Sequence, residues 1–339
     1  MRSRPGFFTL VAILGLCVVR PVGAAPAAPG QALYGFGPVS GKIVYFGFTI
    51  DPETGVFHRL ASLGNRNFHT HPAFDPGGPR LFILAPPPDI FSPAQLLTLE
   101  LLSGAVTSEA SVIGSGFLEY STSTRVLYAL GSPLGPYNLN LYARNPATHS
   151  WTTLAYFQGA SVWTSALDDA GQRLFFLGGS PDGPSLFVVN LQPGGVSSVS
   201  SVPIVDIEVP YFSLHFDSGR GVLYGVGGLA GESASSIFSV DPASGVLTRL
   251  APLSDGHVLT AAFDPGRRRL YFTTYPPETL STFDVGSGLI TAVSIERCCP
   301  DMFVGGGTDV AVPSLGRIPA VLLAAMLALV GVRFVRGMA

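Results

Sequence analysis

Charge is scarce in this chain. Only 12% of its 339 residues are Asp, Glu, Lys or Arg, about half the usual share of roughly 25%. The net charge of -3 leaves no basic footprint for nucleic acid. Cysteine is scarcer still, with Cys17, Cys298 and Cys299 alone, so no paired-cysteine metal motif can form. Cys298 and Cys299 are adjacent, and a bridge across one peptide closes only a strained ring. They read as two small packing residues, with a vicinal or intermolecular bond as the alternative in an oxidising compartment. Nucleophile elbow, phosphate loop and nucleotide fingerprint are all missing.

What is present points to strands and to export. Val, Phe, Tyr, Ser and Thr dominate the middle of the chain, with Gly 41 and Pro 29 spread throughout. That composition suits strands and tight turns. At the N-terminus, Arg2 and Arg4 precede the apolar run Phe7–Val19 and the small residues Gly23, Ala24 and Ala25. This order predicts a signal peptide over 1–25, cleaved near Ala24 or Ala25, with an uncleaved anchor as the alternative. Cys17 follows the large Leu16, which argues against a lipoprotein box. At the other end, Arg317 precedes the apolar run Ile318–Val332, and Arg333 and Arg336 follow. The run predicts a short transmembrane helix with its arginines on the cytoplasmic side. The body would then be outside, tethered through residues 313–339.

Two ladders of equivalent positions run between these ends. One is an aliphatic–aromatic pair: Leu33-Tyr34, Leu81-Phe82, Leu127-Tyr128, Leu174-Phe175, Leu223-Tyr224 and Leu270-Tyr271. Its five steps cover 237 residues, a mean of about 47. The other is a turn: Asp51–Gly55, Glu100–Gly104, Asn145–His149, Asn190–Gly194, Asp241–Gly245 and Asp284–Gly288. A third feature precedes each pair from the second copy on, a large apolar residue followed by Asp75, Ser121, Asp168, Asp217 or Asp264. Each unit therefore predicts four antiparallel strands joined by short hairpins. Four-stranded units repeated radially are propeller blades. The fold class is all-β, a six-bladed propeller over residues 31–312. The first copy begins at its second strand, so a segment near the C-terminal end, Gly307–Val312, is expected to complete its blade and close the ring.

The repeat resembles the kelch and YVTN/NHL propellers. The kelch-like marks are Leu177-Gly178-Gly179, Tyr224–Gly228 and the stretch from Asn145 to Trp151, while Asp241-Pro-Ala-Ser-Gly-Val is nearer the YVTN type. The segment Val312-Pro-Ser-Leu-Gly316, followed by the apolar run and arginines, is similar to the IPTL-CTERM and PEP-CTERM sorting segments. The first resemblance implies a propeller that holds partners at a surface, some of its relatives being enzymes. The second implies handling by export-linked sorting or processing machinery.

The recurring Asp residues look like a carboxylate cluster, but recurrence at one turn per blade marks them as turn formers. More informative are residues that break the repeat in the first strands, which line the central channel: His69, His71, Glu119, His215 and His257. His69 and His71 fall on one face of a strand, an arrangement that suits a metal if a third ligand joins them. His215 and Glu119 occupy a column otherwise held by Ala73, Ala166 and Ala262. Asp206 and Glu208 lie nearby in sequence, and Trp151 and Trp163 offer either sugar stacking or packing between blades. The proline-rich loop Pro86–Pro93 is a further candidate contact surface. The expected function is a non-catalytic binding or scaffold propeller at a bacterial envelope, taking a surface protein or glycan. It is expected to need no cofactor and no nucleic acid. The alternative is a metal-dependent lactonase or hydrolase with its site in the channel.

Overall fold

The computed structural model describes residues 33–38, 45–64, 71–75, 77–85, 94–111, 113, 116–131, 138–205, 207–232, 234–253, 257–275, 279–295 and 302–305. These form 24 strands in six four-stranded antiparallel sheets. Blade 1 contains β1 (Leu33–Pro38), β2 (Tyr45–Ile50) and β3 (Phe57–Gly64). Blade 2 is β4 (Ala73–Asp75), β5 (Arg80–Ala85), β6 (Ala94–Glu100) and β7 (Val106–Ser111). Blade 3 is β8 (Gly116–Tyr120), β9 (Leu127–Gly131), β10 (Asn138–Arg144) and β11 (Trp151–Gln158). Blade 4 is β12 (Thr164–Asp168), β13 (Arg173–Ser180), β14 (Gly183–Gln192) and β15 (Gly195–Pro203). Blade 5 is β16 (Ile207–Asp217), β17 (Val222–Leu229), β18 (Ser235–Val240) and β19 (Leu247–Pro252). Blade 6 is β20 (His257–Asp264), β21 (Arg269–Tyr275), β22 (Thr279–Asp284) and β23 (Ile290–Ser294). The last strand, β24 (Met302–Gly305), returns to blade 1.

The ring closes as the truncated first copy requires. β24 pairs antiparallel with β1, Leu33 opposite Gly305 and Phe36 opposite Met302. The closing strand thus lies upstream of the expected Gly307–Val312, which falls outside the described residues. The final repeat is shorter than its fellows, so counting a constant period overshoots. Two other sequence readings, the signal peptide over 1–25 and the transmembrane segment over 313–339, also lie outside the described residues. Among the described residues no helix is long and apolar enough to cross a membrane.

The aliphatic–aromatic ladder has a packing reason. The second strand of each blade is sandwiched between two neighbouring sheets, so both of its faces are buried. β5, for example, is buried at five consecutive positions after Arg80. Side chains alternate between the faces, so the two members of each pair enter different cores. Leu81 packs on blade 1 and Phe82 on blade 3; Leu174 packs on blade 3 and Phe175 on blade 5. The same division holds around the ring and yields six apolar clusters, one at each blade interface. Trp151 and Trp163 pack against two of these clusters rather than forming a surface platform.

The turns use the chemistry their residues imply. Asp51 accepts from the N–H groups of Glu53 and Thr54 at 2.9 and 3.3 Å, and Gly55 closes the turn at φ +70. In blade 3 the closing residue is His149, a non-glycine held at φ +60. Blade 4 departs from the ladder: Asn190 stays in β14, which runs on to Gln192 through a register shift, and the turn is Pro193-Gly194. The first hairpin turns are built by Asp75, Asp168, Asp217 and Asp264. Asp168 takes the N–H of Gly171 at 2.9 Å and the Arg173 guanidinium at 2.9 and 2.7 Å. The carboxylates are therefore structural.

Blade 3 has Ser121 where the other blades have Asp, and the structure supplies a carboxylate from next door. Asp169 of blade 4 reaches into the turn and accepts from the N–H groups of Thr122 and Ser123, each at 3.1 Å. It also accepts from the hydroxyls of Ser121, Thr122 and Ser123. Partial burial alone raises the carboxyl, but these donors outweigh it and hold Asp169 below the ordinary range.

Candidate functional site

The innermost strands of blades 2 to 6, β4, β8, β12, β16 and β20, line a cavity of about 390 Å³. Its wall includes three of the five side chains singled out from the sequence, His71, Glu119 and His215. His69 lies outside the described residues. Of His257 only the backbone is described, opposite Tyr275 at the start of β20. Asp206 and the loop Pro86–Pro93 also lie outside the described residues, and Glu208 is described only as backbone within β16.

A repeated bond braces the inner ring and explains why small residues prevail there. Four positions before the turn residue in blades 4 and 5, a Ser or Thr hydroxyl accepts a backbone N–H from the next blade. Thr164 takes Leu214 at 3.1 Å and Ser213 takes Ala261 at 3.2 Å. In blade 2 the same position is His71, and its carbonyl oxygen serves instead, accepting from Leu118 at 3.2 Å. The His71 ring is free of that duty and stacks on Phe117, centroids 4.5 Å apart.

Glu119 and His215 occupy the alanine column, which points toward the following blade. Each finds a partner there at the residue three before the turn. Ser165 donates its hydroxyl to Glu119 at 2.6 Å. His215 hydrogen-bonds the backbone of Ala261, and its Nε2 is buried without a partner. Nothing in the blade architecture asks for these groups, since Ala73, Ala166 and Ala262 serve at the equivalent places.

The site's electrostatics follow from burial. Glu119 is pushed up from 4.5 to about 7, because its charged form loses solvation, an effect only partly offset by the Ser165 bond. His71 is lowered from 6.5 to about 4, by burial first and then by His215 across the channel. Burial likewise lowers His215 to about 4, against the opposing effect of Ala261. Near neutral pH both imidazoles are uncharged and Glu119 is divided between acid and carboxylate. The three groups come from blades 2, 3 and 5. Among the described residues, no three His, Cys, Asp or Glu side chains gather closely enough to share a metal ion.

Sequence reasoning did not single out the hydroxyls of Thr164, Ser165 and Ser213, which look like ordinary strand residues. The signal was available: Thr164 and Ser213 stand in one column, four positions before the turn residue, and Ser165 in the next. The cross-blade cluster in which Arg144 grips both carboxylate oxygens of Glu109, at 2.6 and 2.7 Å, with His149 at 3.1 Å, was also unmarked.

No protein-family model matches the sequence, and no curated protein does. Solved structures match the shape. A chain from the nidogen/laminin complex is 14% identical with a TM-score of 0.60, over 80% of this chain and 97% of its own. TolB from Acinetobacter baumannii is also 14% identical with a TM-score of 0.60, over 81% of this chain and 66% of its own. A 6-phosphogluconolactonase candidate from Bacteroides fragilis is 11% identical with a TM-score of 0.50, over 80% of this chain and 97% of its own. At such identities the likeness concerns the propeller fold.

Proposed function

We propose that this chain is a non-catalytic binding propeller, displayed at a bacterial cell envelope and holding a surface protein or glycan. The observation that carries the reading is the character of the channel. Its titratable groups are distributed over blades 2, 3 and 5, and its remaining polar groups are hydroxyls set among Ala, Leu and Phe. A concave site in which a few placed polar groups stand among apolar side chains is the usual form of a binding site. The resemblance of the repeat to kelch and YVTN/NHL propellers supports a holding role, as does similarity to a chain that occurs in a nidogen/laminin complex. The apolar, arginine-flanked ends support export and tethering through residues 313–339, with sorting machinery acting on that segment.

A second reading, a metal-dependent lactonase or hydrolase, is favoured by one observation. Glu119 binds its proton at about 7, where a general acid or base works best. The two readings separate in one set of measurements on the purified full-length protein: metal content, lactone hydrolysis, and binding to an oligosaccharide array. The binding reading expects glycan or protein capture that weakens in His215→Ala, with no turnover that depends on Glu119. Hydrolysis lost in Glu119→Gln, together with one bound zinc or calcium per chain, would replace it with the enzyme.

A further inference from the structure

A sheet edge is a row of unpaired backbone groups, and natural edges are protected by charge, proline, shortness or cover. Three of the six outer strands here carry charge: β3 has His58 and Arg59, β7 has Glu109 and β19 has Arg249. A fourth, β23, spans only five residues. The other two, β11 and β15, carry no charge, and β15 is the longest outer strand, at nine residues. The whole hairpin from Gly183 to Val205 contains no Asp, Glu, Lys, Arg or His. Every residue from Ser197 to Ser201 is exposed, Val199 at 46%.

The sequence of this edge is a palindrome. Val196-Ser-Ser-Val-Ser-Ser-Val202 reads the same in both directions about Val199. β15 is bulged at Ser197, which has no partner on β14, so its regular run begins at Ser198. In an antiparallel pair formed by two copies about a twofold axis at Val199, Ser198 faces Ser200 and Val199 faces itself. Every cross-strand pair then joins like with like, apolar with apolar and hydroxyl with hydroxyl. A slip of one or two residues sets Val against Ser, so the composition selects the register. An isologous interface needs this self-complementarity, whereas pairing with an unrelated strand does not. The lack of charge removes the repulsion that would otherwise oppose two identical edges.

We propose that β15 is where two copies of this chain join, through antiparallel pairing centred on Val199 into one sheet continuous across both molecules. The joining is independent of what the channel holds. Directly opposed residues in such a pair bring their Cβ atoms to about 4.5–5.5 Å, near disulfide reach. The test uses full-length chain in its membrane, with Cys17, Cys298 and Cys299 changed to Ser. Under mild oxidation, Val199→Cys is expected to yield a cross-linked homodimer about tenfold faster than Thr291→Cys, another exposed site, on β23. Adding Ser200→Lys to Val199→Cys sets cations beside the axis and is expected to return the rate to that of Thr291→Cys. An unchanged thermal melt of Ser200→Lys would show that the blade itself is intact. Equal rates for the two cysteines, insensitivity to Ser200→Lys, or a cross-link to a different protein by mass would overturn the proposal.

Discussion

Replacing Glu119 by Gln is expected to stabilise the protein, and by an amount that depends on pH in a defined way. Glu119 takes its proton at about 7 in the fold against 4.5 ordinarily. At about 1.4 kcal/mol per tenfold in a proton equilibrium, the ionised form is penalised by about 3 kcal/mol on folding. The folded state binds more protons than the unfolded one between pH 4.5 and 7. The cost is therefore absent below 4.5, grows as pH rises, and is complete above 7. Contact with the open channel makes this an upper figure. Gln keeps an oxygen to accept the Ser165 hydroxyl, so Glu119→Gln removes the penalty without removing the bond. Urea denaturation of both proteins, followed by Trp fluorescence, should show a gap of about 3 kcal/mol at pH 8 that shrinks below about 1 kcal/mol at pH 5. His71 and His215 are common to both and cancel. A gap that stays constant from pH 5 to 8, or a variant less stable at pH 8, would refute the claim that Glu119 is desolvated.

Other expectations follow from the same geometry. His71 and His215 are lowered to about 4, so the unfolded chain binds more protons between 6.5 and 4. Stability should fall as pH drops through that window, and His215→Asn should flatten the acid limb of a melting-temperature profile. Asp169→Ala strips the Ser121 turn of its borrowed carboxylate and should cost roughly 2–4 kcal/mol by denaturant titration, since several donors lose their partner at once. His149→Gly relieves a non-glycine at φ +60 and should raise stability by about 0.5–1 kcal/mol, even with loss of its exposed contact to Glu109. Gly178→Ala should abolish folding, because its Cβ would meet the Ser161 carbonyl oxygen at 1.7 Å; a normal melt would contradict the packing of blade 4.

Much of the architecture is legible in the sequence because the repeat writes the same physical demand six times. A strand buried on both faces needs two large apolar neighbours, so Leu-Tyr and Leu-Phe recur. A tight turn needs a side-chain acceptor and a positive φ, so Asp and Gly recur. The missing first strand of the first copy also follows, because an unpaired inner edge has to be completed. The exceptions were legible only as exceptions. Ser121 breaks the Asp column, but the carboxylate that repairs it belongs to another blade, 48 residues away. Asn190 matches the turn ladder by spacing, yet lies in a strand, because a Pro-Gly pair further on offers a tighter turn.

The same division holds at the channel. Sequence by itself determined that Glu119 and His215 stand in a column of alanines, since period and position are one-dimensional facts. Tertiary structure alone decided that Glu119 meets Ser165, that His215 meets Ala261, and that His71 and His215 face each other across the axis. Those contacts join different blades, and the ring's curvature sets them. Proton affinity followed the same route, because burial is a property of the closed ring rather than of any one strand.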